Sequence, residues 1–204
     1  MKCNEWDIIW KKYPDIIFFG KPYAKFLERN IIKILKEIRI KKNAKIIDMG
    51  VGQGRTLLNF VKNGYKNSIG IDFSEASIQI CRQKNLNVEL MNAVKTDFED
   101  NEFDLVFSDG LIEHFSDFVP LAKEMTRISK KYILLSQPKN NPILNKIRFH
   151  GRNPIPKDYN YSVDDFKKGL GRADCKLILK KDAILNWLLL FIKNGADSDL
   201  ESKR

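Results

Sequence analysis

The sequence predicts an α/β protein, a three-layer α/β/α sandwich on an open, mostly parallel sheet with helices on both faces. Three observations lead there. Short apolar runs (Lys45-Ile46-Ile47, Ser68 to Ile71, Val88 to Met91, Phe103 to Phe107 and Tyr132 to Ser136) alternate with segments of helical period. Phe103 to Phe107 is almost unbroken in apolar residues, as strands buried on both faces of a parallel sheet are. The first run passes directly into Asp48-Met49-Gly50-Val51-Gly52-Gln53-Gly54, which reads as strand, glycine loop and helix start. In open sheets of this kind the ligand lies at the carboxyl ends of the strands.

The elements follow in order. Met1 to Tyr23 is rich in aromatic residues (Trp6, Trp10, Tyr13, Phe18, Phe19, Tyr23) and is expected to pack on the core. Pro22 opens a helix running to about Ile38, with Phe26, Leu27, Ile31, Ile34, Leu35 and Ile38 on one apolar face. A basic turn, Lys41-Lys42-Asn43, leads into the first strand. Thr56 to Val61 is helical and ends at Asn63-Gly64, a C-cap pair. Ser74 is placed to cap the next helix, with Ile78 and Cys81 facing inward. A helix over Val119 to Ile128 precedes the fifth strand. Gln137 to Tyr161 carries Pro138, Pro142, Pro154, Pro156 and Gly151, too long for a simple connector, with a short helix expected around Ile143 to Phe149. Ser162-Val163-Asp164-Asp165 starts a last helix. Lys176 to Lys180 and Ala183 to Ile192 read as two strands joined by a turn at Lys181-Asp182, and 194–204 is a polar tail.

Length and composition bound the rest. At 204 residues the chain fits one domain with a sizeable core. Net charge is +10, with pI about 9.4, which leaves a nucleic-acid or anionic-lipid partner open; the lysines are nonetheless scattered along the chain. Cys3, Cys81 and Cys175 are odd in number and without Cys-x-x-Cys spacing, which speaks against a disulfide framework or a metal site and for a reducing cytoplasm. Met1 to Trp10 lacks the apolar stretch of a signal peptide, and Ile184 to Ile192 is far short of the ~20 residues of a membrane span, so a soluble protein is expected.

The glycine loop carries the functional reading. Glycines on alternate positions let the backbone turn tightly and approach a ligand closely. Asp72, roughly eighteen residues past Gly54 at the end of the second strand, is placed to accept hydrogen bonds from ribose hydroxyls. A dinucleotide fingerprint needs its third glycine one residue later, where Arg55 stands. Asp48, an acid at the end of the first strand, favours a ligand with positive charge near the loop over a pyrophosphate.

These residues resemble a known family. Asp48 to Gly54 resembles motif I of the class I S-adenosylmethionine-dependent methyltransferases, and Gly70-Ile71-Asp72-Phe73-Ser74 their motif II. Met91-Asn92-Ala93 stands where the family has an Asp-Ala pair against adenine, and Phe98 to Val106 resembles the approach to the fourth strand. Ser108-Asp109-Gly110-Leu111-Ile112-Glu113-His114-Phe115 is similar to the strand end and Glu-His signature of the type 11 subgroup. The resemblance implies a Rossmann-like seven-stranded sheet closed by an antiparallel hairpin. It divides the single domain into an N-terminal cap (1–40), a cofactor core (41–136), a substrate-side loop (137–161) and a closing helix and hairpin (162–193). It also implies S-adenosylmethionine as cofactor and S-adenosylhomocysteine as product. Cofactor contacts then fall on Asp48, Met49, Gly50, Gly52, Gly54, Asp72, Phe73, Asn92, Ala93, Ser108 and Asp109. An N-terminal lid would bring in Tyr13 or Tyr23.

A sulfonium methyl is already activated, so the chain's tasks are alignment and exclusion of water, with a base needed only where the acceptor must lose a proton. His114, with Glu113, is the candidate base, a reading set against a purely structural role for the pair. His150, Arg152 and Tyr159 of the long loop are candidate substrate contacts. The fourth strand lacks the Asn/Asp-Pro-Pro-aromatic motif of base-amino methyltransferases, and none of the cysteines precedes a proline. A small-molecule acceptor is therefore the first expectation, with RNA or protein left open and the oligomeric state unspecified. Two other readings stand beside it. A nicotinamide oxidoreductase fits poorly, for want of a Tyr-x-x-x-Lys pair and the right glycine spacing, and a non-catalytic partner subunit would keep the fold without turnover.

Overall fold

The computed structural model describes residues 3–12, 20–139 and 159–196. Along the chain these form α1 (Cys3–Lys12), α2 (Gly20–Glu37), β1 (Ile46–Met49), α3 (Arg55–Lys62), β2 (Ser68–Asp72), α4 (Glu75–Gln83), β3 (Val88–Leu90) and β4 (Phe103–Asp109). A 3₁₀ turn (Ile112–His114) follows, then α5 (Val119–Ile128), β5 (Ser129–Pro138), α6 (Val163–Gly171), β6 (Cys175–Ala183) and β7 (Asn186–Lys193). The seven strands form one sheet in the order β3-β2-β1-β4-β5-β7-β6, parallel from β3 to β5 and antiparallel at β7 and β6. The fold is the expected three-layer α/β/α sandwich with its closing hairpin. Strand order reverses between β1 and β4, and the crevice beyond their carboxyl ends is where such sheets bind ligands.

Alternation along the strands builds two cores. Ile46, Leu105, Phe107, Tyr132, Leu134, Leu188 and Leu190 face α2 and Phe60 of α3. Ile47, Val106, Ile133, Leu135, Leu189 and Phe191 face the other way, onto α5 and α6. A smaller cluster, including Val51, Leu57, Ile78 and Cys81, seats α4 beside α3. Helix ends are set by the residues the sequence offers for them. Ser74 accepts from the Ser77 amide, Gly64 follows α3 at φ +88°, and Ser162 with Asp165 forms a reciprocal capping box.

Two expectations need correction. Phe26 lies off the apolar stripe of α2 and is 37% exposed, whereas Leu27, Ile31, Ile34, Leu35 and Ile38 are buried. The hairpin turns at Ile184-Leu185 rather than at Lys181-Asp182. The charged residues that suggest a turn belong instead to β6, the outer strand of the sheet, where solvated side chains are compatible with pairing on one side only. Tyr13, Phe18, Phe19, His150, Arg152 and the helix expected near Ile143 to Phe149 lie outside the described residues. Among the described residues no helix is long and apolar enough to cross a membrane.

Gly169 of α6 tests the packing of this second core. A Cβ there would lie 2.3 Å from the ring of Phe118, which is held against Tyr161 and Phe166. Gly169→Ala is expected to destabilise the protein by about 1–3 kcal/mol through overpacking, read as a lowered Tm.

Candidate functional site

The loop after β1 is pinned to β2 before any ligand is considered. The amides of Gly50 and Val51 both donate to Ile71 O at 2.9 Å, and the Gly52 amide donates to the Asp72 carboxylate at 2.9 Å. The other carboxylate oxygen of Asp72 accepts from the Ser74 amide at 3.0 Å. Ser77 Oγ and Cys81 Sγ, on α4, donate to Gly52 O at 2.6 and 3.2 Å. Gly52, at φ +51°, is thus held through both its amide and its carbonyl, in a conformation that L side chains rarely adopt. Gly54, at φ +73°, admits no side chain, since a Cβ would lie 2.4 Å from Leu86 and 2.8 Å from Cys81 Sγ.

Three carboxylates, Asp48, Asp72 and Asp109, converge at the carboxyl ends of β1, β2 and β4, and among the described residues Arg55 is the guanidinium that meets them. Arg55, the first residue of α3, donates to Asp109 at 2.6 Å, to Glu28 at 3.2 Å and to Ala24 O at 3.4 Å, tying α2 to the end of β4. Asp48 is 2% exposed. Burial, then the charge of Asp109, pushes its carboxyl well above the ordinary range, against the pull of Arg55. Burial also raises Asp72, opposed by the amides of Ser74 and Gly52. Such a cluster gains from a cationic ligand that restores charge balance.

The remaining predicted residues border this crevice to different degrees. Ser108 is fully buried on β4, and its hydroxyl has no hydrogen-bond partner among the described residues. Met91, Asn92 and Ala93 follow β3, where the Met91 amide donates to Asp72 O, and the exposed Asn92 accepts from the Val94 amide at 3.0 Å through its own side chain. Glu113 and His114 are buried on the 3₁₀ turn just past β4. The Tyr159 amide donates to Glu113 O, which brings Tyr159 backbone to the same turn. Tyr23 is directed elsewhere, since its hydroxyl donates to Ala183 O and Asn186 Oδ1 in the closing hairpin, both at 2.9 Å. Phe73 is half-buried between Asp72 and the α4 cap.

Helix α1 adds residues that the sequence reading did not assign to the site. Asp7 accepts from Ser74 Oγ at 2.5 Å and from the Ala76 amide at 3.1 Å, fastening α1 to the start of α4. Trp10 lies over Gly52, with its ring 3.1 Å from where a Cβ would stand. Trp6 stacks on Trp10 at 5.5 Å and meets His114 edge-on at 4.8 Å. The aromatic cover is therefore made by Trp6 and Trp10, four residues apart on one helical face, a spacing that could have revealed them. Arg55 and Glu28 leave no comparable local signal, because their partnership joins residues far apart in sequence.

The residues present fit an S-adenosylmethionine molecule. An orphaned buried hydroxyl, carboxylates in excess over cations and a loop free of side chains would suit a hydroxylated nucleoside with ammonium and sulfonium groups. Comparison with known proteins agrees. Residues 47–132 match the model of a family described as "Methyltransferase domain". The chain is 26% identical over 147 residues to EEF1A lysine methyltransferase 2 of Danio rerio, covering 64% of this chain and 60% of that one, and so spans less than two thirds of that relative. It resembles a chain of the Haloferax volcanii complex between the Trm112 methyltransferase activator and a methyltransferase, with TM-score 0.73, 13% identity and 95% and 96% coverage of the two chains. Magnesium protoporphyrin IX methyltransferase from Synechocystis PCC 6803, solved with bound SAH, gives TM-score 0.68 at 15% identity, covering 94% and 95%. Fold and loop together resemble those of the class I, Rossmann-like methyltransferases. The family match covers residues 47–132, less than half of the chain.

The raised carboxyl of Asp48 gives a signed prediction. A folded-state pKa above the unfolded value contributes stability that is complete below the ordinary carboxylate range and lost as pH rises through the folded pKa. Asp48→Asn is expected to melt above wild type at about pH 7.5, with the gap closing toward about pH 4. The resemblance to motif I implies that Asp48 faces the ligand's ammonium group, and the same variant should then bind S-adenosylmethionine at least about 10-fold more weakly at neutral pH, because leaving one partner of a buried charge pair unpaired costs about 2–5 kcal/mol. Melting curves and calorimetry across pH read both effects, and a variant no more stable than wild type at neutral pH would remove the electrostatic account of Asp48.

Proposed function

We propose that the protein transfers the methyl group of S-adenosylmethionine to a small-molecule acceptor held between the end of β4, the 3₁₀ turn and α1. The observation that carries this reading is the Asp72 carboxylate, fixed by the amides of Gly52 and Ser74 at the tip of β2 beside the glycine loop. In this reading Asp72 binds the ribose hydroxyls, and Asp48 with the backbone around Gly50 and Gly52 orients the methionine part. Met49 and Gly54 shape the loop, Phe73 flanks the ribose, and Asn92 and Ala93 border the adenine. Ser108 offers its unpartnered hydroxyl from the floor of the crevice, with Asp109 beside it and set by Arg55.

S-adenosylmethionine, when bound, supplies a methyl on a sulfonium that departs as a neutral thioether. The chain's contribution is to align the acceptor and keep water out, which α1 serves by laying Trp6 and Trp10 across the loop. His114, packed against Trp6, takes the proton released by a hydroxyl or amine acceptor, and Glu113 orients the turn that carries it. The indoles give that space aromatic walls suited to a compact, flat group. The buried free thiols Cys81 and Cys175 suit a reducing cytoplasm. The name of the Danio rerio relative favours a second reading, in which the acceptor is a protein lysine.

Calorimetric titration with S-adenosylmethionine, S-adenosylhomocysteine and NADH tests the cofactor assignment. Micromolar binding is expected for the two sulfur compounds and none for NADH, with loss of at least about 100-fold in Asp72→Ala, since a carboxylate holding two hydroxyls contributes charge-assisted hydrogen bonds of about 1.5–3 kcal/mol each. A well-folded protein that binds neither sulfur compound would refute the reading. For a hydroxyl or amine acceptor, His114→Gln is expected to lower kcat about 10²–10⁴-fold while leaving S-adenosylmethionine affinity within about 3-fold. Equal loss of cofactor affinity would instead mark His114 as a residue that positions the loop.

A further inference from the structure

The net charge of +10 is not evenly spread. Helix α2 carries Lys21, Lys25, Arg29 and Lys33 at intervals of four residues, with Lys36 one turn beyond, and all five are exposed. At about 1.5 Å per residue the first four form a row of cations about 6 Å apart and about 18 Å long that winds gradually round the helix. A solvated helix face commonly interleaves acids at this spacing, because like charges one turn apart destabilise a helix. On α2 one acid, Glu28, is paired with Arg55 and the other, Glu37, is the last residue of the helix.

The row also borders a concavity. A groove of about 410 Å³ runs between α2 and α3, lined on one side by Lys25, Arg29, Lys33 and Lys36 together with Ile32 and the Arg55-paired Glu28, and on the other by Asn59 and Asn63. Phe26, the aromatic residue that leaves the core stripe, is exposed on the same helix outside the lining of the groove, its ring 6.4 Å from that of Tyr23. Cations along a groove, with an exposed ring on the same helix, are the elements with which proteins hold a nucleic-acid strand through its phosphates and a stacked base. A lipid surface fits less well, because the apolar face of α2 (Leu27, Ile31, Ile34, Leu35, Ile38) is buried against the sheet and offers nothing to acyl chains.

The orientation of the helix gives the row a direction. Its first turns lie at the carboxyl ends of the strands, where Arg55 bonds Ala24 O and Asp109 and Tyr23 reaches the closing hairpin. Its last turn lies at the opposite edge of the sheet, where the charge of Lys36 acts on Tyr65, itself covered by Lys42. We propose that the exposed face of α2 and its groove form a docking surface for the phosphodiester backbone of a nucleic acid, with one end at the rim of the methyl-transfer crevice. This surface is separate from the cofactor residues and holds the enzyme on a strand whichever group receives the methyl.

The test is fluorescence anisotropy with a labelled single-stranded RNA and a DNA of the same sequence, titrated over a range of salt. Neutralising five phosphates predicts a slope of about −3.5 for log K against log salt. Lys25→Gln/Arg29→Gln/Lys33→Gln should reduce the slope to about −1.4 and weaken binding at least about 10-fold. Lys176→Gln/Lys180→Gln/Lys181→Gln on β6 removes the same charge elsewhere and should leave binding within about 2-fold. Binding of S-adenosylmethionine by the α2 variant, read by calorimetry, is expected to match wild type, which separates failure of this surface from failure of the cofactor site. Tight binding of either nucleic acid, lost only with the α2 substitutions, supports the proposal. It is overturned if wild type binds neither strand, if the β6 variant loses as much as the α2 variant, or if phosphatidylserine vesicles or polyglutamate compete as well as RNA at equal charge.

Discussion

The site depends on how one glycine is held. Gly52 gives its amide to Asp72 on β2 and its carbonyl to Ser77 and Cys81 on α4, so the loop after β1 cannot shift without disturbing both neighbours. Burial makes these bonds consequential, since a buried polar group left unpaired carries the full cost of its desolvation. The loop is therefore held in place by the chain's own hydrogen bonds, and both oxygens of the Asp72 carboxylate are fixed by backbone amides. Asp7 extends the arrangement to α1 by bonding the serine that caps α4. Cofactor loop, second strand, fourth helix and cover share one continuous set of hydrogen bonds.

Electrostatics work against that arrangement in a controlled way. Asp48, Asp72 and Asp109 lie near one another, and Arg55 compensates them only in part while also holding Glu28 on α2. A charge imbalance of this kind reduces the stability of the folded chain, and a cationic ligand relieves it. Stability sacrificed at a site and regained on binding is common where function and fold compete for the same residues.

Much of this was legible in the sequence, and the boundary between legible and hidden has a physical basis. Strands and helices followed from periodicity, and Ser74, Ser162 and the Asn63-Gly64 pair marked helix ends because caps are local in sequence. The glycines and Asp72 were readable because backbone conformation constrains residue type directly. Phe26 and the Lys181-Asp182 segment misled, since an aromatic residue near a stripe and charges near a strand end have more than one structural use. Arg55 with Glu28 and Asp109, and Asp7 with Ser74, were invisible because they join residues 27, 54 and 67 positions apart. The spacing of Trp6 and Trp10 puts both indoles on one helical face, but which element that face covers was decided by the approach of α1 to α4.

The stacked indoles of Trp6 and Trp10 also make the crevice observable. Two of the chain's three tryptophans stand together on α1 at the entrance, and the third, Trp187, is on β7. The ultraviolet emission of the unlabelled protein is thus weighted toward one helix and one doorway. Any ligand that displaces or clamps that helix changes the environment of both chromophores at once, so occupancy can be followed in real time without a dye and without a known acceptor.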